Sequence, residues 1–368
     1  MRILFASLIG SVLGFGLAAA GESVPMDAET WDVSDASVSQ FTDVAGRDAL
    51  CLRGGAALVK GKETLNGVIS VDILNTGTPH FGYLVFRALD GENSEEVYLR
   101  MHKSRQVDAL QYNPHINDEP NWQLFGSAQA AADFGSADWV TLRVAFAGDK
   151  AKATVISDAG ETVLEVADLA FDDSGMRVGL RALQRACYSN FQISDRAPDL
   201  SAIADPVYAS DPNMITSWRL SPQSRFDAFA HQVFSSNDWA PAETEPNGTL
   251  LISRYVPKAS AGAFRLNEMD VVYAGATLHA DQARTIELNF DVSDIGRVYL
   301  NGKPRVELNN TIRAKGNALF RGDFAVSTQS VFLDLEPGDN DLVFGIAERT
   351  NGWGLAARIV DMTGVSIK

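Results

Sequence analysis

Over residues 81–125, FGYLVFRALDGENSEEVYLRMHKSRQVDALQYNPHINDEPNWQLF, apolar and polar side chains alternate in three short runs, 83–88, 96–102 and 109–113, with turn-forming residues between them. A period of two is the pattern of half-buried strands, and runs of it separated by turns read as an antiparallel meander. Such a meander closes a core only against a second sheet. Successive strand side chains point to opposite faces. Val97, Leu99 and Met101 are therefore expected in the core, and Glu96, Tyr98, Arg100 and His102 on the outer face.

The rhythm continues at 49–53, 67–73, 139–146, 152–157, 161–166, 177–183 and 187–194, with Gly, Asp and Asn between the runs. Short strands at this spacing predict an all-β sandwich or jelly roll over residues 22–196. The one helical turn expected in it is 127–133. Residues 197–213 break the rhythm and are rich in proline, as a linker is; Leu200, Ile203, Val207 and Tyr208 would also let the segment pack as an ordered bridge. A second β-rich block fills 214–368, with strands expected at 249–255, 263–266, 270–276, 285–290, 297–300, 330–335 and 341–346. Asn301-Gly302 supplies the positive φ angles of a tight hairpin, and Pro337-Gly338-Asp339-Asn340 forms a second turn. The two blocks share no internal repeat, so the fold class is all-β, two tandem β-sandwich or jelly-roll domains. The interface between them is expected to permit motion unless it is large and apolar.

Residues 1–20 carry one early positive charge, Arg2, an apolar middle and Ala18-Ala19-Ala20 before Gly21. That is the layout of a secretory signal peptide, and the alternative is an uncleaved N-terminal anchor. Cleavage leaves no membrane span, and the protein is expected to be periplasmic or secreted. The formal charge of -16 in 368 residues disfavours nucleic acid, whose phosphates call for clustered Lys and Arg. Cys51 and Cys187 lie in expected strands near the two ends of the first block. In an oxidising compartment they form either a disulfide, worth about 4 kcal/mol in the chain-entropy model, or two buried thiols that pack as small hydrophobes.

The runs Gly82-Tyr83-Leu84-Val85-Phe86-Arg87, Val97-Tyr98-Leu99-Arg100 and Ala109-Leu110-Gln111-Tyr112, with Trp122, 139–144, Val178-Gly179-Leu180-Arg181 and Asn190-Phe191-Gln192-Ile193, resemble the concanavalin A-like sandwiches of secreted bacterial proteins. These include the laminin G-like group and the group named for 3-keto-disaccharide hydrolase. In the second block, 297–304, 336–344 and Asn351-Gly352-Trp353-Gly354 resemble a galactose-binding-like jelly roll. The first resemblance implies a fold that hosts lectins, hydrolases and adhesion modules alike. The second implies an accessory or ligand-binding module.

Sugar sites pair an aromatic platform with planar polar side chains. Arg87, Tyr98, Arg100, His102, Gln111 and Trp122 supply both types within one meander, and they form a carbohydrate-binding groove if neighbouring strands place them on one face. The same residues also fit a solvated outer face with Trp122 packed under a loop. Glycoside hydrolysis requires two carboxylates about 5 to 10 Å apart; Glu96 alone shares the parity of Tyr98 and Arg100, so no catalytic residue is assigned. Five scattered histidines show no zinc spacing, so no metal ligand or cofactor is assigned. Asp291-Val292-Ser293-Asp294 either offers oxygens to a structural Ca²⁺ or forms a polar turn. Three functions follow as expectations: recognition of a glycan on the first sandwich, a glycoside hydrolase of the 3-keto-disaccharide hydrolase type, or a protein-interaction module without a sugar ligand. The sequence sets no oligomeric state.

Overall fold

The alternating run around Tyr98 forms the strand Glu95–Arg100, hydrogen-bonded to Phe81–Ala88 on one side and to Leu110–Tyr112 on the other. The structure, a computed structural model, describes residues 21–171, 175–208, 211–259, 268–316 and 321–368; the expected signal peptide at 1–20 and the expected strand at 263–266 lie outside the described residues.

These three strands belong to an antiparallel sheet in the order Gln129–Ala130, Leu110–Tyr112, Glu95–Arg100, Phe81–Ala88, Arg177–Ala182, Gly55–Glu63, Trp31–Asp32. A second sheet packs on it, in the order Gly160–Val166, Lys150–Ser157, Trp139–Ala147, Gly67–Leu74, Ala186–Ser194, Arg47–Arg53, Val38–Val44. Leu84, Val97 and Leu99 of the first sheet meet Ile69, Val71 and Val144 of the second in one buried core. Burying such a side chain is worth roughly 1.5–3 kcal/mol, which is why the alternating runs demand two layers. Cys51 and Cys187 are cross-strand partners and are joined in a disulfide.

The second sandwich pairs the sheet Ala240–Glu243, Ser217–Leu220, Asp270–Ala280, Gly338–Glu348, Ile295–Leu300, Lys303–Asn309 with the sheet Leu250–Leu251, Gly354–Ile359, Arg284–Ser293, Gln329–Leu335. Its core gathers Trp218, Leu278, Leu288, Phe290, Phe344 and Trp353. Trp353, whose indole N–H donates to the Ile346 carbonyl, is a core residue rather than an exposed stacking platform. Asn301 and Gly302 take φ values of 51° and 75° in the hairpin between Ile295–Leu300 and Lys303–Asn309, as the Asn-Gly pair predicts. Among the described residues the elements are strands and single-turn 3-10 segments, and no helix is long and apolar enough to cross a membrane.

Three local expectations are corrected. The helical turn at 127–133 is the short strand Gln129–Ala130, because pairing with the edge strand Leu110–Tyr112 outweighs the helix propensity of a segment too short to hold a helix by itself. The strand expected at 96–102 ends at Arg100, and Met101–Lys103 is a 3-10 turn. The strand expected at 249–255 is only Leu250–Leu251, followed by the 3-10 turn Ile252–Arg254. Within 197–213, Leu200 and Ile203 are buried, the Ile203 carbonyl accepts from Lys150 Nζ at 2.8 Å, and Asp211 pairs with Arg358 of the second sandwich. Val207 and Tyr208 are exposed, so the described part of this segment packs at Leu200 and Ile203 and is open further on.

Candidate functional site

Cross-strand register builds the site. Tyr83 lies opposite Tyr98, Tyr98 opposite Gln111, Gln111 opposite Gln129, and Phe81 opposite Arg100. Directly opposed residues share a face, so these side chains form two rows on the outer face of the sheet. Tyr98 Oη donates to Gln111 Oε1 at 2.6 Å, and Arg100 Nη2 donates to Tyr98 Oη at 2.9 Å and to Gln111 Oε1 at 3.0 Å. Arg100 Nη1 donates to Asp108 Oδ2 at 2.6 Å, and Lys103 Nζ donates to the same oxygen at 2.7 Å. Asp108 and Lys103 come from the turn that follows Arg100, where strand parity no longer applies.

The outer face is covered. Residues beyond Tyr112 fold back over it through turn bonds such as Asn121 N–H to Pro114 O and Phe125 N–H to Trp122 O. They set Trp122 against Arg100, with the guanidinium carbon 4.9 Å from the ring centroid. Arg321 of the second sandwich approaches the same ring at 5.6 Å, donates to Gln129 Oε1 at 2.7 Å and lies 3.5 Å from Asp108. Gln123 holds this segment by donating to the carbonyls of Arg321 and Gly322. Gly322 is required there: its φ is 72°, and a Cβ would overlap the Asn310 carbonyl and the Gln123 amide.

Of the six residues expected to bind a sugar, Tyr98, Arg100, Gln111 and Trp122 come together, each no more than 6 % exposed. The outward parity of Tyr98 and Arg100 holds, but their face is not an open groove. His102 is exposed beside the cluster, its ring centroid 5.4 Å from that of the partly exposed Phe81 in an edge-on arrangement. Arg87 stands apart. The register slips between Arg177 and Gly179, Arg87 takes φ of 48°, and this bulge turns the side chain onto Phe146 of the core and the carbonyl of Leu65. It takes no part in the cluster. Phe81, Lys103, Asp108, Gln129 and Arg321 were not among the expected residues; Lys103 and Asp108 lie within the same stretch of sequence, whereas nothing in the sequence near Arg321 marks it as a neighbour.

Burial opposes ionisation of Asp108, but the Lys103 hydrogen bond and the charges of Arg100, Lys103 and Arg321 outweigh it and hold its carboxyl below the usual value. Burial lowers the His102 pKa, so the ring is neutral at pH 7. Glu96, the one acid with the right parity, is fully buried and accepts from Arg181 Nε at 2.6 Å, Ser94 and Asn113. Burial raises its pKa against the pull of Arg181. Asp291 accepts from the backbone N–H groups of Val292 and Ala325, and Asp294 from those of Arg349 and Thr350. Among the described residues no group of three or more His, Cys, Asp or Glu is placed to hold a metal ion.

A cavity of about 630 Å³ opens between the sandwiches, lined in part by Tyr112, Phe125, Asp168, Tyr208 and Glu245. Several of the polar groups lining it are paired: Tyr208 donates to Asp168, Arg254 to Glu245, and Tyr112 to Glu95. At the Arg100 cluster, by contrast, buried Gln111 Nε2 has no partner. That unmet donor makes the cluster the stronger candidate.

No family model and no curated protein matches the chain. Among solved structures, a carbohydrate binding module, CBM66, from Bacillus subtilis is similar with a TM-score of 0.34 and 16% identity, over 45% of this chain and 95% of that one. The Bacillus licheniformis β-glucanase gives 0.33 and 10%, over 49% and 99%. The Bacteroides ovatus xyloglucan PUL GH43B gives 0.33 and 13%, over 47% of this chain and 38% of that one. The sandwich architecture of the chain rests on its own sheets.

Proposed function

We propose that the protein is an exported carbohydrate-binding protein whose glycan site lies on the outer face of the sheet carrying Tyr98, where the second sandwich meets it. One observation carries this reading: the Tyr98–Arg100–Gln111 network leaves the buried Gln111 amide N–H without an acceptor, next to the partly exposed ring of Phe81. Planar hydrogen-bonding groups beside an accessible aromatic face are the two elements of sugar recognition. Trp122 is buried under two guanidiniums; Phe81 also has the Arg100 guanidinium carbon 5.8 Å from its centroid but keeps part of its ring exposed, so the stacking role falls to Phe81 and the exposed His102. The second sandwich acts as an accessory module that completes the site with Arg321.

Export to the periplasm or beyond is supported by the layout of residues 1–20 and by the Cys51–Cys187 disulfide, since disulfides persist in oxidising compartments. A glycan array probed with the exported protein tests the reading. Binding is expected, and Phe81→Ala should weaken it about tenfold, a change of ~1.4 kcal/mol, with the variant still folded at the assay temperature. A wild-type protein that binds no glycan sinks the reading in favour of a protein-interaction module. Release of new reducing ends from a bound glycan would instead place it with the glycoside hydrolases.

A further inference from the structure

The groups around Trp122 are unbalanced in two independent ways. The first is charge. Arg100, Lys103 and Arg321 converge on a single buried carboxylate, Asp108, at 2.6, 2.7 and 3.5 Å. The other acid in reach, Asp323, is 3.3 Å from Arg321 Nε with its side chain 66% exposed, so water screens most of what it contributes. His102 is neutral at pH 7, and Glu96 is already matched by Arg181. Three cations against one buried anion leave uncompensated positive charge, and the Lys103 and Arg321 side chains keep 28% and 16% of their surface in solvent, so a ligand can reach it. The molecule as a whole has a formal charge of -16, so this local excess is not a reflection of its composition.

The second imbalance is in hydrogen bonding. Gln111 Nε2, Arg321 Nε and Arg321 Nη1 are buried atoms without a hydrogen-bond partner. All three are donors. Register places Gln111 and Gln129 side by side, and Gln129 Oε1 anchors Arg321 Nη2; Arg321 Nε and Nη1 lie 3.3 and 3.5 Å from Asp323 and Asp108 without making a hydrogen bond to either. Leaving a buried donor unmet costs about 1–3 kcal/mol. A neutral hydroxyl could satisfy any one of them. A carboxylate or sulfate satisfies several at once, because its oxygens match the planar fork of a guanidinium and carry the missing negative charge.

We infer that the bound glycan is acidic, with a uronate carboxylate or a sugar sulfate seated against Arg321, Gln111 and Arg100. The inference rests on the carbohydrate reading above and narrows it to one ligand class. Because Arg321 belongs to the second sandwich and Gln111 to the first, an acidic sugar is also the ligand that ties the two together.

Titration calorimetry on the exported full-length protein tests it with matched pairs: an oligouronide and its methyl ester, and a sulfated oligosaccharide and its desulfated form. The free acid or the sulfated sugar is expected to bind at least tenfold more tightly than its neutral partner, with the advantage shrinking as salt is raised. Preference within the uronide pair identifies a carboxylate, and within the sulfated pair a sulfate; either supports the inference. Arg321→Gln should reduce the acid-to-neutral affinity ratio to near one. Lys103→Gln, on a half-buried turn of the first sandwich, should lower the same ratio severalfold and covers the case in which Arg321→Gln loosens the seam. Equal affinity within both pairs, or tighter binding of the neutral partners, overturns the acidic assignment and leaves carbohydrate binding standing. No binding of any of the four, together with an empty glycan array, overturns both.

Discussion

Trp122 has two guanidinium carbons near its ring: Arg100 from the sheet it covers and Arg321 from the other sandwich. A tryptophan in this position holds charges in place and offers little free face to a sugar. Trp122→Ala would leave both guanidiniums without their aromatic contact and open a hole at the seam, so it is expected to cost ~3 kcal/mol of stability, read as a lower denaturant midpoint. Tyr98→Phe removes one hydroxyl that accepts from Arg100 and donates to Gln111. The expected loss is about 1–3 kcal/mol, the cost of stranding buried polar partners, together with weaker glycan binding. An unchanged denaturant midpoint for Tyr98→Phe would show that the network carries no stability. The sequence discloses which face Tyr98, Arg100 and Gln111 occupy, because parity depends only on the strand period. It does not disclose what covers that face, since the cover is a loop that folds back from Tyr112 and a segment more than 190 residues further along the chain.

Strand runs with clean alternation, such as Trp139–Ala147 and Lys150–Ser157, are legible because each buries one face against a partner sheet. Departures occur where tertiary pairing or a bulge overrides the local pattern. Arg87 is the clearest instance. Its parity groups it with Tyr83, which the register sets opposite Tyr98 on the outer face, but one extra residue in Phe81–Ala88 relative to Arg177–Ala182 redirects it. Its guanidinium then donates to the carbonyls of Leu65 and Phe171 at 3.2 and 3.5 Å and rests on Phe146. Arg87→Ala should therefore behave as a stability variant, losing on the order of 2 kcal/mol through stranded carbonyls and lost packing, while glycan affinity stays at the wild-type value. A drop in affinity at full stability would return Arg87 to the binding site. The turn at Met101–Lys103 is a second departure: it ends the alternation one residue after Arg100 and so brings Lys103 and the following Asp108 to the cluster while leaving His102 at its edge.

At the scale of the molecule the two sandwiches meet through buried polar groups rather than the apolar interface that would lock them in the simplest way. Glu119 of the first sandwich accepts from the Asn351 N–H and lies 3.7 Å from Lys258, which also donates to the Arg349 carbonyl. Asp294 and Glu348 of the second sandwich complete a group of three buried carboxyls, and Asp294 Oδ1 and Glu348 Oε2 have no donor. Burial raises all three pKa values, Glu119 to about 7, Asp294 to about 6 and Glu348 well above the usual range, the last also pushed by the charges of Asp294 and Glu119. A carboxyl whose pKa is higher folded than unfolded binds more protons in the folded state, so the stability it contributes is present at low pH and is lost as pH rises through the folded pKa. Burial raises Glu95 to about 7 and Asp291 to about 6, in the same sense, whereas the lowered pKa of His115 and His102 acts oppositely, but only at and below the ordinary histidine value. Between pH 6.5 and 8 the raised carboxyls outweigh what remains of the histidine titration, and unfolding free energy should fall on the order of 2 kcal/mol. Glu348→Gln keeps an acceptor for the Gly352 N–H and removes the carboxyl that must take up a proton on folding. It is expected to flatten this slope and to raise the pH 8 melting temperature by several degrees. A wild-type melting temperature that climbs from pH 6.5 to 8 would mean that these carboxyls are ionised and compensated in the folded protein, and the seam would then be held by charge rather than by shared protons.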